Sequence, residues 1–119
     1  MAKVYEFLAN GFEEVEAMAP VDILRRGGVD IKTVSVTGSE WATSSHGVTM
    51  KADLVFTRPE DYADADMILL PGGLPGATNL NEHEGVRATL LAQAKAGRRI
   101  GAICAAPMVL GSLGLLDGK

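Results

Sequence analysis

Residues 4–9 form an apolar run broken only by Glu6 and closed by Asn10-Gly11, the pattern of a strand buried on both faces that enters a turn. From Glu13 the spacing becomes helical. Val15, Met18, Ala19 and Ile23 are expected to face inward, with acids in the first turn, Gly27-Gly28 as a stop and a kink at Pro20. The β-branched content of residues 30–36 predicts a second strand. Residues 37–57, rich in Ser, Thr and Gly, predict a small hairpin or an irregular excursion at the sheet's edge. Residues 66–70 read as a short buried strand ending at Pro71-Gly72-Gly73. A helix is predicted over 82–96, with Val86, Leu90 and Ala94 in phase, Leu91 alongside and Gly97 as a cap. Residues 100–103 then predict a strand that ends at Cys104, followed by a helix from Ala105 or Ala106 to about Leu113.

Strands that alternate with helices imply βαβ units with right-handed crossovers, and so an α/β, flavodoxin-like three-layer sandwich with a mainly parallel sheet. No internal repeat, low-complexity tract or linker divides the 119 residues, so one domain over 1–119 is expected. The composition, 47% hydrophobic and 22% charged, supports a packed core and excludes a disordered chain. Fifteen acidic against eleven basic residues leave a net charge of -4, which offers no broad attraction to nucleic acid or anionic lipid. No apolar run reaches the roughly 20 residues that cross a bilayer, and no signal-peptide core develops near the start. A single cysteine forms no internal disulfide and fits a reducing compartment, so a cytoplasmic location is expected.

Ligands of open parallel sheets bind beyond the carboxyl ends of the strands. Three features fall on that edge: Asn10-Gly11 with Glu13, Glu14 and Glu16; Pro71-Gly72-Gly73; and Cys104. In Gly101-Ala102-Ile103-Cys104-Ala105-Ala106-Pro107 small residues flank the cysteine where a strand turns into a helix, as a sharp nucleophile turn requires. Amide dipoles at such a turn are expected to lower the thiol pKa; the competing reading is a small buried hydrophobe. Glu16, turned inward, would hydrogen-bond that thiolate, or else is simply a favourable charge in a first helical turn. Gly72 and Gly73, with the Ala105 N–H, are candidate oxyanion donors, or only a tight turn. His46 and His83 make unconvincing bases, His83 being expected in solvent, and one Cys with two distant His lacks metal-ligand spacing.

Together, Asn10-Gly11-Phe12-Glu13-Glu14-Val15-Glu16, the Pro20-to-Gly28 segment with its Arg25-Arg26-Gly27 end, Leu70-Pro71-Gly72-Gly73 and Ala102-Ile103-Cys104-Ala105-Ala106-Pro107 resemble the ThiJ/PfpI superfamily. The branch they resemble is that of the parkinsonism-associated protein deglycase and its bacterial relatives. The resemblance implies a class I glutamine amidotransferase-like fold, with Cys104 as the oxidisable nucleophile and Glu16 as the protonated acid beside it. It also implies Gly73 with Ala105 as oxyanion donors and a substrate pocket near Asn10, Gly11 and His46, where relatives often carry Arg at the last position. It further implies homodimers, no cofactor, no metal, and cysteine-dependent glyoxalase or deglycase activity on reactive carbonyls or glycated substrates in oxidative-stress protection. Two other readings are a redox sensor or chaperone that works by oxidation of Cys104, and an amidase or peptidase, which would need a histidine base. Domains of this superfamily run on for roughly another third, so the chain is expected to be an N-terminal portion lacking the C-terminal third. A companion C-terminal fragment is then expected, produced by cleavage near the lysine at 119.

Overall fold

The computed structural model describes residues 2–116, in which seven strands, four α-helices and a 3-10 turn follow one another along the chain. Strands β1 (Lys3–Leu8), β2 (Asp30–Ser35), β5 (Leu54–Val55), β6 (Met67–Leu70) and β7 (Arg99–Ala102) form one parallel sheet in the order β5-β2-β1-β6-β7. β3 (Trp41–Thr43) and β4 (Thr49–Lys51) pair as an antiparallel hairpin outside that sheet. The excursion expected over 37–57 is therefore a hairpin plus an edge strand.

Helix α1 (Glu14–Arg26) covers one face of the sheet; α2 (Gly76–Glu82), α3 (Glu84–Lys95) and α4 (Pro107–Ser112) cover the other. Alternation along β1 explains the division. Tyr5, Phe7 and Ala9 join the cluster beneath α2–α4, where Phe7 meets Phe56 and Tyr62 edge-on, while Val4 packs with Val21 and Ile31 beneath α1. Both faces are buried and mainly apolar, as parallel strands require, with Glu6, Thr33 and Ser35 as buried polar exceptions.

The inward face of α1 differs from expectation. Ala17 and Val21 are buried, whereas Val15 and Ile23 are 68% and 65% exposed. At 100° per residue, positions 17, 21 and 24 share a side that excludes 15 and 23, and the apolar residues on the outer side do not reveal which stripe is buried. Pro20 lies inside the helix without ending it.

Helix α2 has no counterpart in the periodicity, because Leu80 is its only large apolar residue. The segment expected as one helix over 82–96 begins only at Glu84, since His83 is extended and ends α2. Its buried face carries Val86, Thr89, Leu90 and Gln93, with Leu91 exposed; Gln93 reaches the core by donating to the Ala65 and Arg99 carbonyls. The chain leaves β1 toward β2 on one side and returns to β6 on the other. The strand order thus reverses between β1 and β6, which places a crevice at their carboxyl ends.

Candidate active site

That crevice collects the loops after β1, β6 and β7. Cys104 lies two residues beyond the end of β7 and is exposed, so it is not the buried hydrophobe of the competing reading. Its φ of 55° puts a non-glycine residue in the left-handed region, at a cost of roughly 1–2 kcal/mol. The surrounding bonds hold the turn: Ile103 N–H donates to the Leu70 carbonyl at 3.3 Å, and Ala106 N–H to the Ile103 carbonyl at 3.0 Å. Pro107 opens α4 without needing an amide partner.

The Cys104 thiol donates to Glu16 Oε2 at 2.6 Å, although 88 residues separate the two in sequence. Glu16 is held from two further directions. Its backbone N–H donates to Glu13 Oε2 at 2.6 Å, capping α1, and its Oε1 accepts from the Gly72 N–H at 3.1 Å.

Gly72 has no room for a side chain. A Cβ there would lie 2.5 Å from Glu16 Oε1, 2.7 Å from Cys104 Cβ and 2.8 Å from the Ile103 carbonyl oxygen. Gly73 has φ +95°, and a Cβ on it would meet Glu13 N at 2.5 Å. Glycine is required at Gly72 because the Glu16 carboxylate and the Cys104 Cβ approach the backbone there. Gly72 is corrected as an oxyanion donor, since its N–H is already given to Glu16. Gly73 and Ala105 N–H have no partner among the described residues.

The expected lowering of the thiol pKa is also corrected. Cys104 is raised above its ordinary value, first by the hydrogen bond to the Glu16 carboxylate, then by desolvation and by the negative charges of Glu16 and Glu13.

Other candidates fasten the loops. Asn10 Oδ1 accepts from Thr43 N–H at 3.0 Å, and its carbonyl accepts from Asn79 Nδ2 at 2.7 Å. Gly11 N–H donates to the Thr43 carbonyl and its own carbonyl accepts from Gly76 N–H, so residues 10 and 11 tie the hairpin and α2 to the crevice. His46 is exposed and pairs through Nδ1 with Glu14 Oε1 at 2.9 Å. Glu14 lies below the ordinary carboxylate range, chiefly through its own backbone N–H, with His46 and Ser44 adding to the effect. Neither histidine hydrogen-bonds to Cys104. His83, expected in solvent, instead caps α3 by accepting from Val86 N–H at 3.0 Å and packs edge-on against Phe56; burial lowers its pKa.

Donor atoms of Glu13, Glu14 and His46 lie within 4.8 Å of one another, a grouping the sequence spacing did not suggest. Glu13 is occupied as the α1 cap and His46 with Glu14, so these donors already serve one another.

Sequence reasoning missed Glu6, which in the sequence is only a break in an apolar run. An acid in the middle of a strand predicted to be buried on both faces was the available signal. Its side chain is 1% exposed, Oε2 has no hydrogen-bond partner, and burial pushes its pKa up to about 8. Glu6 and Glu16 line one cavity of about 220 Å³, walled by Pro20, Leu69, Pro71 and Ile103. A larger hollow of about 500 Å³, lined by Arg98, Ile100 and Leu115 among others, opens at the far end of β7.

The pattern of the DJ-1/PfpI family matches residues 2–119. Among curated relatives, Protein DJ-1 homolog A of Arabidopsis thaliana is 40% identical over 94% of this chain and 29% of its own length. A deglycase of Pyrococcus horikoshii is 34% identical over 98% of this chain and 69% of its own. The solved structure of oxidized Toxoplasma gondii DJ-1 superposes with a TM-score of 0.91 at 36% identity, covering 99% of this chain and 64% of that one. A DJ-1 superfamily protein from Salmonella typhimurium gives 0.89 at 40% identity, with 99% and 64% covered. The chain thus spans under a third of the plant relative and less than two thirds of these solved structures. Among the described residues no helix is long and apolar enough to cross a membrane.

Proposed function

The chain belongs to the DJ-1/PfpI family, and from that footing we propose that it acts on reactive carbonyls through Cys104, in the manner of a glyoxalase or deglycase, in stress protection. The observation that carries this reading is the Cys104 Sγ to Glu16 Oε2 contact of 2.6 Å beside the unengaged amides of Gly73 and Ala105. Glu16 is the general base. As Cys104 Sγ bonds to the aldehyde carbon of methylglyoxal, the thiol proton passes to Glu16, the carbonyl π electrons move to oxygen, and the two amides steady that oxyanion. Glu16 then protonates the oxygen, giving a hemithioacetal. Transfer of the remaining carbon-bound proton to the neighbouring carbonyl carbon, with oxygen protons rearranged through Glu16, gives a thioester that water hydrolyses to lactate and free Cys104. The net reaction is methylglyoxal plus water to lactate, without an external oxidant. Methylglyoxal consumption tests the reading: loss in both Cys104→Ser and Glu16→Gln supports it, and activity retained in Cys104→Ser ends it.

A redox-sensing role draws on the exposure of the same sulfur. Peroxide would oxidise Cys104 to sulfenate and then sulfinate, releasing water at each step, with Glu16 and the two amides as hydrogen-bond partners. Selective gain of two oxygens at Cys104 without carbonyl turnover would favour this role over the first. A second copy of the chain is the proposed partner. Val15, Met18 and Ala19 of α1 form an apolar surface with Val48, where Val15 and Val48 are 68% and 49% exposed.

A further inference from the structure

We propose that Glu6 is a third member of the Cys104–Glu16 acid cluster: a buried carboxyl whose ionisation, sensed across the cavity it shares with Glu16, governs how readily Cys104 gives up its proton. The inference adds a residue to the site on which the carbonyl reading rests, but it concerns the thiol alone.

Geometry carries it. Glu6 lies at the centre of β1, 1% exposed, with Oε2 lacking any hydrogen-bond partner. An acid left in that state inside an apolar core is costly unless it keeps its proton or acquires a partner. Its side chain lines the cavity of about 220 Å³ that Glu16 also lines, and Glu16 accepts the Cys104 thiol at 2.6 Å. Apart from the two carboxyls that cavity is walled chiefly by apolar residues, Pro20, Leu69, Pro71 and Ile103 among them, so little solvent screening separates a charge on Glu6 from one on Glu16.

The groups around Glu6 leave few alternatives. From α1 it faces Glu16 and Pro20, and in register it meets Leu69 on β6 and Thr33 on β2. Gly101 of β7 lines the same cavity. Thr33 is bonded to Asp53, which pairs with Arg25. Burial holds Glu6 neutral up to a pH of about 8. Below that pH the cavity is uncharged at its Glu6 end and the thiolate forms against Glu16 and Glu13. Above it, a further negative charge opposes the same ionisation.

The only cysteine in the chain makes the readout unambiguous. Alkylation of Cys104 by iodoacetamide, which needs thiolate but no carbonyl substrate, is followed from pH 6 to 10 in the wild type, Glu6→Gln and Glu6→Leu. The two variants remove the charge by different means, and the leucine variant remains available if an unpartnered amide prevents folding. Rates that coincide with the wild type at pH 6 and exceed it by about threefold or more at pH 9 are expected. Rates that match the wild type throughout, or differ by the same factor at pH 6 and pH 9 as a merely structural role would produce, overturn the inference. Absence of carbonyl turnover would sink the carbonyl reading and leave this result intact.

Discussion

Cys104 and Glu16, from the strand–helix turn after β7 and the first turn of α1, meet at 2.6 Å, the thiol donating to Oε2. The carboxylate raises the thiol pKa, and the proposed carbonyl chemistry uses that same carboxylate as the base that takes the thiol proton. In Glu16→Gln the charge that holds the proton on sulfur is gone. The Cys104 titration, followed by thiolate absorbance at 240 nm, should shift to lower pH while carbonyl turnover falls by about 10²-fold or more with the loss of the base. An unshifted titration would contradict the coupling.

Gly72 separates two outcomes of adding one methyl group. Gly72→Ala drives a Cβ into Glu16 Oε1, Cys104 Cβ and the Ile103 carbonyl, and should cost roughly 1–3 kcal/mol in urea denaturation together with most of the Cys104 reactivity. Gly28→Ala, where nothing lies within 4 Å but φ is +82°, should cost only about 1–2 kcal/mol and leave Cys104 unaffected. Equal loss of Cys104 reactivity in both would refute the crowding argument.

Glu6 also links stability to pH. Its folded pKa, about 8, lies above the ordinary 4.5, so the native state keeps a proton that the unfolded chain releases. The folded state has its full stability below pH 4.5 and loses it progressively as pH rises to about 8, by a few kcal/mol in total, on the order of 1.4 per unit. Glu6→Leu should abolish that decline. Stability from urea denaturation at pH 4.5 and pH 8 should therefore diverge between wild type and variant; parallel curves would show that Glu6 ionises freely.

The outer face of α1 predicts association. If Val15 and Val48 pack against a second copy, Val15→Lys with Val48→Glu should shift sedimentation from dimer toward monomer without lowering the melting temperature of the monomer, since both side chains are exposed in the single chain. An unchanged sedimentation profile would exclude this face.

The alternation of strands and helices, the parallel sheet, and the convergence of Asn10, Gly72 and Cys104 on one edge were legible because β-branched runs, helical spacing and glycine turns are local signals. Helix α2 was not, since a seven-residue helix with one large apolar side chain has no periodicity to read. The buried stripe of α1 was ambiguous because both its sides carry apolar residues, and only packing against Ile31 and Val4 selects Val21 over Ile23.

By itself the sequence determined the βαβ order, the small residues that let Cys104 turn, and the presence of acids in the first turn of α1, without deciding that Glu16 faces inward. The tertiary structure decided that Glu16 meets the thiol, that the Gly72 N–H serves Glu16 rather than an oxyanion, and that Glu6 is shut into the same cavity. Burial and charge coupling act through space between residues up to 88 positions apart, and no local pattern along a chain encodes those separations.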